Sequence, residues 1–501
     1  MLSPKGHPSR LGLKHTTHGS WGLPNVFEFL MVIAHLVILQ GEKAMCLRDN
    51  IDEERKQKGL SPINDHQTIL VGSNPLPCYV AVIVLRPKKV TFVCSKATMV
   101  FAEKLKIVLN KEGIECSIPD GIDDTCSAAE ISDAINKIED VSGAGLHYAG
   151  GKKTMSVHAH RAWISKSKDI TQASYIDAQK VALLFDNTGI EIPLKKKPCV
   201  SFDTLVDLHG ITSATEGKKG YKISPAISEL AMKMGELVKE MGIDKFRNVW
   251  PPFIPFIRCD SSYNPIDQEN KERIGTENIR KDDVKKAGLK RDVSLNYSMA
   301  GFHNIKLFFD QHYYRSESSE PYTFSQFAGD FLGYPEKPLS ETPGGDKLEK
   351  AFKWIDGEWL EEYTFKMLQN IEKSVGLHDV IYDINMKKKS KNKDTGKEIA
   401  TCFQGDVACM RGHTVFFFSC TTSPVMGEQK LKLFEAQVRA QQLGGDHARY
   451  ALVCLSNSGE VAALKNEVKE SWDAPDYAEV FGWDAVMGNF AEALTKWINN
   501  I

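Results

Sequence analysis

Gly143-Ala144-Gly145-Leu146-His147-Tyr148-Ala149-Gly150-Gly151-Lys152-Lys153-Thr154-Met155 is the stretch on which the reading of this chain turns. A short apolar run meets a glycine pair and opens into a segment that begins with two lysines. That is the pattern of a strand passing through a tight loop into a helix. Glycines let backbone approach a ligand closely, and the first turn of a helix offers unpaired N–H groups to an anion. With two lysines added, the loop suits a phosphate. It is not a Walker A loop. Counting from Gly145, the second glycine is Gly150, but Gly151 stands where lysine is required; counting back from Gly151, the first glycine would be Leu146, and Lys153 replaces the hydroxyl. The dinucleotide fingerprint fails too, because Tyr148 occupies the place of its third glycine. The competing reading is an ordinary strand-to-helix turn with solvated lysines, and the flanking sequence weighs against it.

Upstream, strand and helix patterns alternate. Gln67–Val71 and Val90–Cys94 read as strands, Cys78–Leu85 as an apolar segment and Ala97–Glu112 as a helix ending at Gly113. Ile114–Ile118 reads as a short strand and Ala128–Val141 as a helix before the glycine loop. This alternation predicts a parallel, Rossmann-like sheet, whose ligands bind outside the carboxyl ends of the strands. Three such ends carry small polar residues: Ser73 and Asn74, Ser95, and Gly150-Gly151 followed by Lys153. They are the candidate ligand residues. Residues 170–205 read as further strands, and His209 as a structural histidine.

The chain has 501 residues, too many for one core, so two or three domains are expected. A net charge of −2 gives no global signal for nucleic acid. Eleven cysteines without a CxxC pair point to reduced thiols in a cytoplasmic protein without a structural zinc. Residues 1–64 fit the rest poorly and read as a partly disordered extension, with Met31 and Met45 as alternative starts. Within them Phe27–Leu39 is too short to span a membrane. The expected division is an extension over 1–64, a ligand-sensing domain over 65–210, a mainly helical connecting region over 211–349 and a second α/β domain over 350–501.

From Lys350 the pattern sharpens again. Phe352–Ser374 predicts a long amphipathic helix, Val380–Met386 a strand, Ile399–Met410 and Thr414–Cys420 two more, Glu428–Leu443 a helix and Tyr450–Leu455 a strand. That order matches a restriction-endonuclease-like core. Lys387–Glu398 reads as a lysine-rich loop, either a solvated hairpin tip or a contact for a nucleic-acid backbone.

With these segments in place, the chain resembles the CRISPR-associated Rossmann-fold (CARF) effector nucleases of type III CRISPR systems, in which a CARF sensor is fused to a PD-(D/E)XK nuclease. The family's signature Tyr-Thr-Gly-Gly-Thr-Lys-x-Met lies over Tyr148 to Met155. Gly150, Gly151, Lys153 and Met155 match, while Ala149 and Lys152 replace both threonines. Asn74-Pro75-Leu76-Pro77 resembles the family's first loop, and Gly357, Trp359, Leu360, Glu361 and Gly444-Gly445 match patterns in its second domain. The resemblance covers roughly 67–210 and 350–501. It implies a homodimer that senses cyclic oligoadenylate and a nuclease dependent on Mg²⁺ or Mn²⁺, acting on DNA or RNA away from any membrane.

The resemblance places Asp406 at the first metal-binding aspartate and Glu361 at the accessory glutamate, oxygen ligands suited to a hard cation. It also requires a lysine two residues after a strand carboxylate. Here that strand ends Ser419-Cys420-Thr421, and Gln404 stands where the family often has glutamate. Two expectations follow. In one, Lys430 or Lys432 on the following helix replaces the missing lysine, with Lys430 the first choice and Glu428 or Glu435 as a substitute carboxylate. In the other, the nuclease is degenerate and the chain is a nucleotide-sensing binding protein. A third reading has the first domain itself cleaving its ligand, with Lys153 involved.

Overall fold

The computed structural model describes residues 47–214, 218–224, 228–244, 246–247, 266–267, 272–273, 354–391, 398–472 and 477–500. It is a mixed α/β architecture built around a seven-stranded and a six-stranded sheet.

The first sheet comprises β1 (His66–Val71), β2 (Lys89–Cys94), β3 (Glu115–Ser117), β4 (Gly145–His147), β5 (Ala173–Asp177), β6 (Ala182–Phe185) and β7 (Glu191–Pro193). Its order is β3-β2-β1-β4-β5-β6-β7, parallel from β3 through β5 and antiparallel beyond. Chain order therefore reverses between β1 and β4, the topological switch point of a Rossmann-like sheet. On one face lie α2 (Leu76–Leu85) and α3 (Met99–Lys111); on the other lie α4 (Ala128–Asn136) and α5 (Lys153–Ile164). Leu70 packs towards α4 and α5 while its neighbours Ile69 and Val71 pack towards α2 and α3, as period-two alternation requires.

Two sequence expectations are corrected, and one apolar segment left unassigned by the sequence takes its form. Residues 47–64 belong to the fold and not to an extension. Helix α1 (Leu47–Gln57) buries Ile51 and Arg55, and the Arg55 guanidinium donates to Ser61 O at 2.6 Å and Thr171 O at 2.8 Å. Its sequence is so charged that no apolar period marks it. The segment Leu76–Leu85 is helical although rich in valine and isoleucine. It is buried nearly all round, so no amphipathic period exists to be read. Pro75 and Pro77 suit its first turn, and Asn74 Oδ1 accepts from Leu76 N at 3.1 Å. Finally, residues 202–205, expected as strand, open helix α6 (Phe202–His209), capped by Ser201, whose Oγ accepts from Thr204 N.

The second sheet contains β8 (Ile211–Ser213), β9 (His378–Lys391), β10 (Glu398–Arg411), β11 (Thr414–Thr421), β12 (Arg449–Cys454) and β13 (Ala478–Phe481), in the order β13-β12-β11-β10-β9-β8. Helices α7 (Ser228–Met241), α8 (Trp359–Val375) and α11 (Phe490–Asn499) contribute to the core on one face. α9 (Met426–Gly444) and α10 (Ser458–Trp472) contribute to the core on the other, which is continuous with that of α2, α3 and α6. Helix, three strands, helix, strand is the predicted order. Strands β9 and β10 run longer than expected, so Lys387–Lys391 and Glu398 are strand and not loop, while residues 392–397 lie outside the described residues. The expected connecting region opens with β8 and α7, and most of the remainder, like Phe27–Leu39, also lies outside them.

Beyond this shared core, β8 leaves the first unit to add an edge strand to the second sheet, pairing Ile211–Ser213 with Met386–Lys388. Val200 N donates to Gly412 O at 2.8 Å, and Phe202 N to an Asp379 carboxylate oxygen at 2.7 Å. No described helix is long and apolar enough to cross a membrane.

Four buried histidines make stability pH-dependent. Burial depresses His147 and His413 to about 3 and His209 and His447 to about 4, against 6.5 when exposed. The unfolded chain therefore takes up more protons below pH 6.5, and stability falls as pH drops from there towards 4. Each such histidine costs about 1.4 kcal/mol per pH unit in that window. Glu361 and Glu362, raised by burial, act in the opposite sense but are fewer. A thermal melting series should show the midpoint decreasing steadily from pH 6.5 to pH 4. A flat profile would mean that these imidazoles are not held neutral.

Candidate functional site

The first site lies at the switch point. The loop after β1 (Gly72, Ser73, Asn74) and the loop after β4 (Tyr148 to Gly151) meet backbone to backbone. A Cβ on Gly150 would lie 1.9 Å from Leu70 O, and one on Gly72 would lie 2.7 Å from Gly151 N. Gly151 has φ +83°, a conformation that L side chains rarely adopt. Together these glycines let both loops close over the strand ends and leave the first turn of α5 open. Lys153 begins that helix and is exposed, as are Gly151, Lys152 and Ser73.

Two of the expected ligand residues have other duties. Ser95 is buried, and its Oγ accepts from Thr98 N at 3.2 Å, closing the turn into α3. Asn74 gives its Oδ1 to α2, while its Nδ2 sits against Gly445, where a Cβ would be 2.1 Å away. Asp186 and His160, absent from the sequence reading, join Tyr148 beside the loop. Tyr148 OH donates to Asp186 Oδ1 at 2.8 Å, and His160 Nε2 lies 2.8 Å from Asp186 Oδ2. Burial, then the Asp186 carboxylate, raises the Tyr148 phenol above its ordinary value, so it stays a neutral donor. No spacing rule links Asp186, from the end of β6, to this loop.

Replacing Gly150 by alanine should be costly. The new methyl would collide with backbone rather than with a movable side chain, and overpacking of this kind costs about 3 kcal/mol. Denaturant unfolding should register that loss. Parent-like stability would show that the two loops can part.

The second site is formed by β10, β11, α8 and α9. Asp406 Oδ2 accepts from Ser419 Oγ at 3.0 Å and from Cys420 N at 2.7 Å, so the antiparallel β10–β11 pair fixes this carboxylate. That leaves Oδ1 for a further partner. Glu361, in the first turn of α8, is half-buried nearby. Burial foremost, and then the Asp406 charge, lifts it well above the usual carboxylate range. Burial, Asp406 and Glu361 likewise push the Cys420 thiol up, so it stays protonated. Lys432 Nζ lies 3.8 Å from Asp406 Oδ2. Burial alone would lower its ammonium, but Asp406 and Glu361 outweigh that and hold it above its ordinary value.

Asp406 and Glu361 thus come together with Lys432, and Lys430 does not join them. Lys430 points along the other side of α9 and pairs with Glu467 at 2.5 Å. Choosing between the two lysines requires the rotation of α9 about its axis, which spacing does not give. Neither Glu428 nor Glu435 makes a third carboxylate, since no described group of three His, Cys, Asp or Glu could hold a metal ion.

At the junction of the two units lies a cavity of about 410 Å³, lined in part by Asn74, Phe101, His209, Lys388, Phe403 and Arg439. His209 crosses this junction, with Nε2 2.8 Å from Leu443 O.

No protein-family model and no curated sequence matches the chain. Solved structures do. Protein VC1899 from Vibrio cholerae aligns over 87% of this chain and 98% of its own, with TM-score 0.56 and 13% identity. Can2 from Sulfobacillus thermosulfidooxidans, solved in complex with cyclic tetra-adenylate, aligns over 87% of this chain and 99% of its own, with TM-score 0.52 and 14% identity. At these identities the likeness is one of fold, and it spans both α/β units.

Proposed function

We propose that the chain is a cyclic-oligoadenylate-gated, metal-dependent nuclease. The observation that carries this reading is the meeting of Asp406, Glu361 and Lys432 at one end of the second sheet. Support for the sensing half comes from the glycine loops at the switch point and from the fold shared with Can2, a protein solved with cyclic tetra-adenylate. The ring would sit on the Gly150–Gly151 loop and α5, with Ser73 and Lys153 towards its phosphates. A ring of this symmetry is best read by two copies of the chain, hence a homodimer.

A carboxylate pair whose proton is held only by burial and like charge suits a hard divalent cation, Mg²⁺ or Mn²⁺, which fills its remaining positions with water and substrate oxygens. Such an ion would stabilise charge on the scissile phosphate and activate water. The chain's own residues do the rest. The Ser419 hydroxyl and Cys420 N–H lock Asp406 in one orientation. Lys432 supplies the fixed cation that Thr421 cannot, aimed from a helix and not from the strand. Glu361, once deprotonated, would be the second oxygen ligand beside Asp406.

Thr421 and Ser419 favour one alternative, a nucleotide-sensing protein with a degenerate nuclease domain. Purified protein incubated with Mn²⁺, cyclic tetra-adenylate and labelled single-stranded DNA or RNA separates the two readings. Ligand-stimulated cleavage is the expected result. Binding of the ring with no cleavage of either substrate would leave the degenerate reading standing.

A further inference from the structure

We infer that Asn74 and His209 are positioning residues, which transmit the state of the glycine crevice to Lys432 through helix α9. The inference rests on the nuclease reading above. α9 carries Lys432 near its start, and its far end, about 20 Å away at helical rise, abuts the first unit. The last carbonyls of a helix have no partner within it. Here the Leu443 carbonyl accepts from His209, which is buried on the other side of the junction. Beside it Gly445 ends the helix at φ +61°, and Asn74 Nδ2 is seated where a Cβ would be.

Asn74 is in turn fixed to the start of α2 and follows directly on Gly72 and Ser73, whose loop touches Gly151. A continuous line of contacts therefore runs from Gly151 through Gly72 and Asn74 to Gly445, along α9, and ends where Lys432 faces Asp406. Packed helices move as units, since interiors compress little. The 410 Å³ cavity borders this contact and leaves room for the end of α9 to move. At 3.8 Å the Lys432–Asp406 pair is at the outer limit of an ion pair, so a small shift of α9 makes or breaks it. Misplacement by about 1 Å at a catalytic group can cost about 10²-fold in rate.

The test compares His209→Leu, which removes the bond to Leu443, with His209→Gln, which retains a donor. Cyclic tetra-adenylate affinity is measured by calorimetry, and ligand-stimulated cleavage with Mn²⁺ is split into kcat and KM. The expected result for His209→Leu is affinity within about twofold of parent, stimulation reduced at least about tenfold in kcat with KM unchanged, and recovery in His209→Gln. Parent-like stimulation in folded His209→Leu overturns the inference. Equal loss of affinity and stimulation also overturns it, because the role is then structural.

A second measurement does not depend on the variant's folding: hydrogen exchange of residues 426–444 in the parent protein, with and without the ring. Altered exchange is expected. Binding without any change there overturns the inference while sparing the sensor reading. Absence of binding by the parent sinks the sensor reading itself, and the inference with it.

Discussion

Asp406→Ala should reduce metal-dependent cleavage by about 10³-fold or more, equivalent to about 4 kcal/mol of transition-state stabilisation. Among the candidate metal ligands, this carboxylate is the one fixed by two hydrogen bonds from the neighbouring strand, so it is held ready before any ion arrives. Asp406→Asn is the sharper form of the experiment. An amide oxygen can still accept from Ser419 and Cys420, so the β10–β11 pair should persist while the charge is lost. Both variants should bind cyclic tetra-adenylate as the parent does, because the glycine crevice belongs to the other sheet. The measurement is cleavage of labelled single-stranded DNA and RNA with Mn²⁺ and the ring present. Undiminished cleavage by the asparagine variant would remove Asp406 from the site and take the metal proposal with it.

Lys432→Ala should cost about 10²-fold in kcat, in the range seen when a single electrostatic donor is lost from a reacting centre. Lys430→Ala should stay within about twofold, since exposed ion pairs such as Lys430–Glu467 contribute about 0–1 kcal/mol. The two lysines are neighbours on one helix with opposite expected outcomes, so general disruption of α9 cannot mimic the result. A pH profile adds a second readout. Lys432 lowers the Glu361 pKa, so its removal raises that pKa further. The acid limb of cleavage should then move to higher pH in Lys432→Ala and remain in place in Lys430→Ala. The reverse ranking would restore Lys430 as the relocated lysine. Equal, small effects would favour the degenerate domain.

Much of the fold was legible from residue order. Gly150-Gly151 between an apolar run and a lysine-led helix announced a strand-to-helix loop, and the alternation before it announced a parallel sheet. The long amphipathic pattern that became α8 and the two apolar runs that became β10 and β11 gave the second unit its order. What escaped had weak or misleading local signals. α1 is mostly charged, yet Arg55 is buried by contacts to Ser61 and Thr171. α2 is β-branched and apolar all round, so neither propensity nor period marks it as a helix. His209 looked like an isolated core histidine, and its partner Leu443 lies far off in sequence.

The carboxylate pair of the second unit came from the family resemblance; residue types and their local spacing by themselves pointed to two α/β units and to a phosphate-suited loop in the first. These follow from periodicity and from glycine and lysine chemistry, which act over a few residues. Three matters rested on distances between elements far apart in the chain: which lysine of α9 meets Asp406, that Asn74 faces a helix end, and that β8 joins the second sheet. Each depends on the rotation and register with which helices and strands dock. Long-range packing sets those variables, and no short stretch of sequence carries them.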